Sequence, residues 1–460
     1  MSTTRRDAVT LFGRRGQAAA DTVRDFLQRN EVPLRWVDLD LDPLAAFLSD
    51  RELGTARQPV ALFADGSRLE APERYAEAMP GRFDPARSRD YDASNRWRAE
   101  LAARAGLPTR PRHDEYDLFV LGAGPAGLTA AVYAASEGQR TLIAEVHAPG
   151  GQAGTSARIE NYPGFPDGVS GAELAEGAYR QAQRLGAEFL IGVLVAHARP
   201  QPDGTVEVEL SSGSTVRTRS GVIATGVAYR RLDVREIEDL IGRGVRYGTP
   251  SGEAASYEGR RVAVVGGANS AGQAALHLAD HAARVTLLVR GDSLARGMSR
   301  YLVDRVERND RITVRTRTEV VGGEGRDWLE SVAIEGPDGR QALAIDDLFV
   351  LIGAEPMTAG VEDWLRCDDG GYFMTGPDLL QTSDRSWWPL ERDPLFLESN
   401  QPGLFIAGDA RHGSINRVAS AVGEGAMAAS LVYSYLAALD ADDTAGRSVG
   451  IIRRPGRSSP

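Results

Sequence analysis

Apolar residues recur along the chain in two rhythms. Short unbroken runs such as "LFVL" (118–121), "TLIA" (141–144), "VAVV" (262–265) and "VTLLV" (285–289) have the length and continuity of strands buried on both faces of a sheet. Between paired runs lie small-residue stretches, "AGLTAAVYAAS" and "SAGQAALHLAD", that read as helices packed closely on those strands. The first 85 residues read similarly: "AVTLF" as a strand, "AAADTVRDFLQRN" as a helix, "LRWVDLD" as a second strand, and "QPVALFADGSRLEA" as a hairpin turning at Asp65-Gly66. Alternating strand and helix predicts an α/β fold. At 460 residues the chain is too long for one ordinary core, so two to four domains are expected. Residues 86–114, rich in Arg and Pro, read as a linker with one short helix, and the stretch from about 441 as a disordered tail.

The run "YDLFVLGAGPAGLTAAVYAASEGQRTLIAE" joins strand, Gly-x-Gly-x-x-Gly turn, helix and a second strand ending in an acid. Gly122 allows the tight turn, Gly124 lets backbone approach a pyrophosphate, and Gly127 lets helix and strand pack closely. Pro125 and Ala126 open the helix, whose free N–H groups and dipole favour a phosphate. Glu145 stands where an adenosine ribose is read. Nearer the other end, Gly408-Asp409 follows the apolar run "LFIA", and a helix starts near Arg417-Val418-Ala419. An Asp there can bind a ribityl hydroxyl, and a helix N-terminus can face the N1–C2=O edge of a flavin, so FAD is the expected dinucleotide.

A second strand, turn, helix and strand follow in "RRVAVVGGANSAGQAALHLADHAARVTLLVRG". Gly266 makes the turn, with Gly267, Asn269 and Ser270 along it, but Ala268 puts a methyl group where the closest backbone approach is needed. The second strand ends at Arg290 in place of an acid. A cation at the ribose position suits a 2′-phosphate, with Arg296 as a second contact, which favours NADPH while leaving NADH possible.

Six pieces, "GAGPAG", "PGGQAGTSARIENYPGFP", "GVIATG", "VVGGANSAGQAA", "VLIGAEP" and "LFIAGDA", stand in the order found in low-molecular-weight thioredoxin reductases, which residues 115–440 resemble. The resemblance implies two Rossmann-like, three-layer nucleotide-binding domains of thioredoxin reductase type: an FAD domain from 115–233 and 354–440 and an NAD(P)H domain at 234–353. It also implies a homodimer, Gly151, Gln152 and Asn161 lining the flavin, and Thr225-Gly226 closing the pyrophosphate side. Residues 1–85 resemble a glutaredoxin, implying a thioredoxin-like domain with a cis peptide at Gln58-Pro59. Both resemblances break at sulfur. Gln17-Ala18-Ala19-Ala20 stands where a glutaredoxin carries its Cys-x-x-Cys, and Gly248-Thr249-Pro250-Ser251 where a thioredoxin reductase carries its dithiol.

One cysteine, Cys367, excludes an intramolecular disulfide and a thiol-rich metal site, and no metal is expected; its acidic neighbours disfavour a thiolate, so a structural role is expected. All 53 basic residues are Arg, which excludes Schiff-base chemistry on lysine. A net charge of −11 argues against a nucleic-acid partner. The absence of an apolar run near 20 residues predicts no membrane span and a cytoplasmic location. Flavin chemistry needs no sulfur, so the expected function is hydride uptake from NADPH and electron delivery to a small-molecule or protein acceptor: a quinone, oxygen, a ferredoxin or a small organic substrate. His412, three residues beyond Asp409, is the candidate acid/base, with a structural loop contact as its alternative. Glu253 lies on the same expected flavin face or caps the following helix. Two further readings stay open: an oxidase or dehydrogenase of a small biosynthetic substrate without NAD(P)H, and a non-catalytic flavin-binding scaffold.

Overall fold

A computed structural model describes residues 8–14, 17–42, 58–72, 75, 88–156, 159, 161–241, 243–248, 257–326, 328–358, 364–381, 385 and 387–444. The expected dithiol positions 249–251, Glu253 and residues 445–460 lie outside them. The chain forms two compact units: Met1–Thr155 with Gly171–Val227 and Pro356–Pro460, and Ser156–Ser170 with Ala228–Glu355.

In the first unit, Val9–Gly13 pairs in parallel with Leu34–Asp38 and antiparallel with Val60–Phe63, which pairs with Arg68–Glu70. The helix Ala18–Arg29 crosses between the two parallel strands and buries Val23, Phe26 and Leu27. The Gln58-Pro59 peptide is trans, since no cis bond occurs among the described residues. Pro59 leads straight into the strand Val60–Phe63, and its carbonyl accepts the Ala71 N–H at 3.0 Å, an extension of the hairpin ladder.

The stretch read as a linker contains a 17-residue helix, Ser88–Arg104. Ser94, Asn95, Trp97, Arg98, Leu101 and Ala102 are buried, one face at helical spacing. Half of that face is polar, so the apolar periodicity supports only the short helix expected there and not its full length or its buried role. The Arg98 guanidinium lies over the Tyr75 ring and its Nε donates to the Tyr75 hydroxyl at 3.1 Å.

The main sheet of this unit runs Glu188–Ile191, Thr141–Glu145, Glu115–Leu121, Thr215–Ile223, Val206–Leu210, Val195–Pro200, with Leu404–Ile406 also paired in parallel to Thr215–Ile223. Its first four strands are parallel, and the last two form an antiparallel extension. Helix Val418–Thr444 continues four residues past the expected start of the tail. The sequence reading found no membrane-length apolar segment, yet the stretch Val418–Ala441 is long and apolar enough by length and composition. Ala421, Ala428, Ala429, Val432, Tyr435 and Leu436 form its buried face. That face crosses helix Pro125–Ser136 so closely that a Cβ on Gly425 would lie 2.1 Å from the Ala126 carbonyl oxygen.

The second unit holds a five-stranded parallel sheet, Val245–Tyr247, Asp347–Val350, Arg261–Val265, Arg284–Val289, Ile312–Thr316, and an antiparallel sheet Glu319–Glu324, Ser331–Gly336, Gly339–Ala344. Both units are thus α/β and built on parallel strands, as the hydrophobic pattern predicts.

Two glycines two residues apart in helix Val418–Thr444, one exposed and one buried, separate packing from propensity. Gly423 has nothing within 4 Å of an added Cβ. Gly423→Ala is expected to raise the thermal midpoint, a gain of up to about 1 kcal/mol from helix propensity. Gly425→Ala should instead lower it, by about 1–3 kcal/mol, because two helices must part to admit the methyl group. Thermal unfolding of both variants checks the sign.

Candidate functional site

The first turn follows strand Glu115–Leu121. Gly122 has φ +99°, and a Cβ there would lie 2.5 Å from the Ala224 carbonyl oxygen. At Gly127 it would lie 1.9 Å from the Gly122 carbonyl oxygen, so helix and turn touch backbone to backbone. Gly124 has nothing within 4 Å of an added Cβ, which leaves open space in front of the turn. Helix Pro125–Ser136 begins with Pro125 in its first turn, and no side chain caps it. Its leading N–H groups are thereby left for a phosphate. These features fit the pyrophosphate of a dinucleotide.

Glu145 closes the turn from behind. It is 6% exposed; Oε2 accepts the Ala123 N–H and Oε1 the His147 N–H, both at 2.7 Å. Burial pushes its pKa up, against the two backbone hydrogen bonds and the charge of Arg29. The carboxylate therefore organises the turn at the position expected to read the ribose.

His147 is pushed down to about 3 by burial among protein atoms and by the charges of Arg98 and Arg29, so its imidazole is neutral at physiological pH. The next loop contains Gly150 (φ +102°) and Gly151 (φ +54°); Gly150 N donates to the Ala123 carbonyl at 2.7 Å. A Cβ on Gly151 would lie 3.1 Å from Gly124 Cα. Gln152 Nε2 donates to the Val227 carbonyl. Asn161 is exposed and belongs to the segment Ser156–Ser170, which clusters with the second unit and not with Gly151 and Gln152. Thr225 Oγ1 donates to the Met357 carbonyl at 2.8 Å, and Gly226 (φ +69°) accepts the Met357 N–H at 3.0 Å.

Gly408 (φ +82°) donates its N–H to Glu424 Oε2 at 2.7 Å, while Glu424 Oε1 accepts Arg411 Nη2 at 2.6 Å. Sequence reasoning passed over Glu424, which lies on the first turns of helix Val418–Thr444 and holds the Gly408-Asp409 turn to it. Asp409 is half-buried; burial raises its pKa, the Ser414 hydroxyl at 3.3 Å lowers it, and Glu424 raises it. Val418 begins the helix as expected, with Arg417 and Ala419 exposed beside it.

His412 Nδ1 lies 2.6 Å from Asp368 Oδ2, and Asp368 Oδ1 accepts the N–H groups of Gly370 and Tyr372 at 2.8 and 2.9 Å. Burial works to raise the Asp368 pKa, but these hydrogen bonds outweigh it and hold the carboxyl below its ordinary value. The His412 backbone N–H donates to the Phe373 carbonyl at 2.8 Å. His412 therefore clasps the 368–373 loop to the segment after Asp409, the structural alternative raised for it. Cys367 is half-buried against a small apolar cluster of Ile223, Leu365, Phe373, Ile406 and Ala410.

In the second unit, Gly266 (φ +150°) would place a Cβ 2.4 Å from the Leu351 carbonyl oxygen. Ala268 is exposed at the N-cap of helix Asn269–Ala279, and Asn269 Oδ1 accepts the Ser299 N–H at 2.7 Å. Ser270 is exposed in the first helical turn, and Gly267 packs against Val289. Arg290 lines a cavity of about 260 Å³ with Arg317, Glu319, Glu335 and Gly336. Arg296, the expected second cation, is instead paired with Asp292 at 3.2 Å. Arg317 lines the same cavity as Arg290, and its backbone N–H donates to the Gly291 carbonyl at 2.8 Å.

Two Gly-rich strand–turn–helix units with phosphate-accepting geometry define a protein built for two dinucleotides. Residues 116–425 match the model of the pyridine nucleotide-disulphide oxidoreductase family, and the chain belongs to that family. It is 31% identical over 325 residues to a thioredoxin reductase of Listeria monocytogenes (70% of this chain, 94% of the relative). It is 30% identical over 323 residues to that of Bacillus subtilis (70% and 95%). The crystal structure of thioredoxin reductase from Streptococcus pyogenes aligns with a TM-score of 0.59 at 32% identity, covering 71% of this chain and 99% of that one. The family implies use of FAD and NAD(P)H.

The neutral His147 gives a pH test. Its folded pKa lies below its unfolded value of 6.5, so as pH falls the unfolded state takes up the proton first. The stability tied to the neutral ring is complete above 6.5 and is lost progressively between 6.5 and about 3. At about 1.4 kcal/mol per pKa unit, the loss at pH ~5 is on the order of 1–2 kcal/mol, reduced by the solvent that reaches the ring edge. Denaturant unfolding at pH ~7.5 and ~5 should show this loss in the wild type and a smaller one in His147→Gln.

Proposed function

We propose that this protein is an FAD-dependent oxidoreductase that oxidises NADPH and reduces an acceptor other than a protein disulfide: NADPH + H⁺ + a two-electron acceptor A give NADP⁺ + AH₂, and with a ferredoxin, NADPH and two oxidised ferredoxins give NADP⁺, H⁺ and two reduced ferredoxins. One observation carries the acceptor class: the sequence holds a single cysteine, packed among apolar side chains, while the turns for both nucleotides are kept. A dithiol relay needs two thiols. Bound FAD supplies two-electron acceptance from a nicotinamide and release to an acceptor.

The chain's own residues divide the remaining work. The uncapped start of helix Pro125–Ser136 and the Gly122–Gly127 turn hold the pyrophosphate, with Glu145 fixing the turn and standing at the ribose. Asp409, held by the Glu424–Gly408 bond, offers a carboxylate to a ribityl hydroxyl, and the start of helix Val418–Thr444 offers a positive dipole end. In the second unit, Arg290 and Arg317 supply two guanidinium groups for a 2′-phosphate, which supports NADPH over NADH. Glu319 and Glu335 line the same cavity. The N-terminal four-stranded sheet, in the order Leu34–Asp38, Val9–Gly13, Val60–Phe63, Arg68–Glu70, supports a thioredoxin-like ancestry without its thiols. A homodimer working in the cytoplasm, on a small-molecule or protein acceptor, completes the proposal.

Anaerobic addition of NADPH to the purified yellow protein should bleach its visible absorbance, and persistent colour overturns the assignment. Arg290→Ala and Arg317→Ala should each raise KM for NADPH about tenfold or more, the scale of one lost charge-assisted hydrogen bond, and leave that for NADH nearly unchanged. Cys367→Ser should turn over NADPH with a quinone or ferredoxin acceptor at the wild-type rate; loss of turnover would restore sulfur to the mechanism.

A further inference from the structure

The N-terminal helix Ala18–Arg29 meets the flavin side of its unit with the end opposite to the one where a glutaredoxin carries its thiols. Gln17 stands at the N-cap position without a side-chain cap bond, and its side-chain carbonyl accepts the Arg14 N–H at 3.4 Å. At the other end, Arg29 Nη2 donates to the Gly151 carbonyl at 2.9 Å. Asn30 Nδ2 donates to the His147 carbonyl at 2.7 Å and to the Phe26 carbonyl at 2.8 Å, which ties the amide to the last helical turn. A helix of 12 residues is about 18 Å long, so the former redox end is held that far from the loop that the other end grips.

The gripped loop belongs to the first nucleotide site. Gly150 N–H bonds to the Ala123 carbonyl, and Gly151 has room for no more than a Cβ 3.1 Å from Gly124 Cα. Contact thus runs without a gap from Arg29 through Gly151 to the turn that faces the pyrophosphate. The attachment is also a packing one. Val9, Val23, Phe26 and Leu27 share a single apolar cluster with Leu118, Ile143 and Ile191. A Cβ on Gly192 would lie 2.8 Å from Ala102 Cβ and 3.2 Å from Phe26 Cζ. A tethered carrier domain that shuttles electrons has to let go of its partner; a shared core does not.

We infer that the N-terminal region is a fixed brace of the flavin site, with Arg29 and Asn30 as positioning residues that hold the His147–Gly151 loop against the pyrophosphate turn. This rests on the assignment of the Gly122–Gly127 turn to FAD. The experiment uses the full chain as wild type, Arg29→Ala, Asn30→Ala, the double variant, Arg29→Lys, and Arg24→Ala. Arg24 is a control on the same helix, where it pairs with Asp21 and lies over Trp36.

FAD release is followed by the rise in free-flavin fluorescence on dilution, with visible circular dichroism of the bound flavin and thermal unfolding of the FAD-stripped proteins alongside. The double variant should bind FAD at least about tenfold more weakly and show an altered flavin dichroism, while its stripped form unfolds at the wild-type temperature. Arg29→Lys, which retains a cationic donor, should recover most of the affinity, and Arg24→Ala should match the wild type. Wild-type FAD affinity in the double variant overturns the brace, as does an equal loss in Arg24→Ala. A wild-type protein that takes up no FAD overturns instead the assignment of the turn on which the brace depends.

Discussion

The carboxylate of Glu145 joins two stretches of backbone, the Gly122-Ala123 turn and the loop that starts at His147, and it does so beside the direct bond from the Gly150 N–H to the Ala123 carbonyl. Removing a carboxylate from water is unfavourable, and its raised pKa records that cost. Two short backbone N–H bonds offset it in part, since hydrogen bonds to an ionised acceptor are among the stronger kind. With the anion in place, Ala123 and His147 are fixed on either side of one point. The Gly150–Gly151 loop can then close on Gly124 with no side chain between them. Neutralising the group, or swapping it for an amide, would leave one of those N–H groups facing the wrong atom. The geometry of the first nucleotide turn thus depends on a residue that the sequence offers only as a ribose ligand.

Much of the scaffold could be read from residues close together in the chain. The Gly122–Gly127 turn, the Gly266 turn, the Gly408 turn and the start of the last helix all express local requirements: a positive φ, a missing Cβ, an apolar run of strand length. The residues that escaped are those whose meaning comes from distant partners. Arg317 is 27 positions from Arg290 and reaches it only because strand Ile312–Thr316 pairs with Arg284–Val289. Glu424 earns its role from Gly408 across a helix start. Arg29 and Asn30 act on a loop more than a hundred residues on. Helix Ser88–Arg104 is expected from the sequence only as a short helix in a linker, because its buried face carries Ser94, Asn95 and Arg98, and polar groups inside a core interrupt the apolar period. The expected cis peptide at Gln58-Pro59 failed because it was transferred from the glutaredoxin resemblance, whose constraint is the neighbouring thiol site that this chain lacks.

The start of helix Ala18–Arg29 carries no sulfur. A free helix N-terminus stabilises a thiolate, but Gln17 carries no titrating group and Ala19 and Ala20 are buried. The other end carries the contacts: the Arg29 guanidinium, in the last helical turn, meets the Gly151 carbonyl, and a cation at a helix C-terminus has the polarity that the helix dipole favours.

The second turn keeps the backbone requirement and relaxes the side-chain one. Gly266, at φ +150° with a carbonyl oxygen 2.4 Å from any added Cβ, admits no other residue without a shift. Ala268 has φ −101° and ψ 179°, an extended conformation that any L-residue adopts, and its side chain is exposed. The methyl group therefore strains nothing in the fold, and its only consequence falls on a ligand brought against the helix start. A nicotinamide dinucleotide displaced outward by one methyl group loses part of its contact with the helix N–H groups. Arg290 and Arg317 follow the carboxyl ends of two neighbouring parallel strands, at the same sheet edge as the Gly266 turn. On the proposed assignment they give a 2′-phosphate an anchor that a bare ribose lacks, and a weakened pyrophosphate contact makes recognition depend more on that anchor.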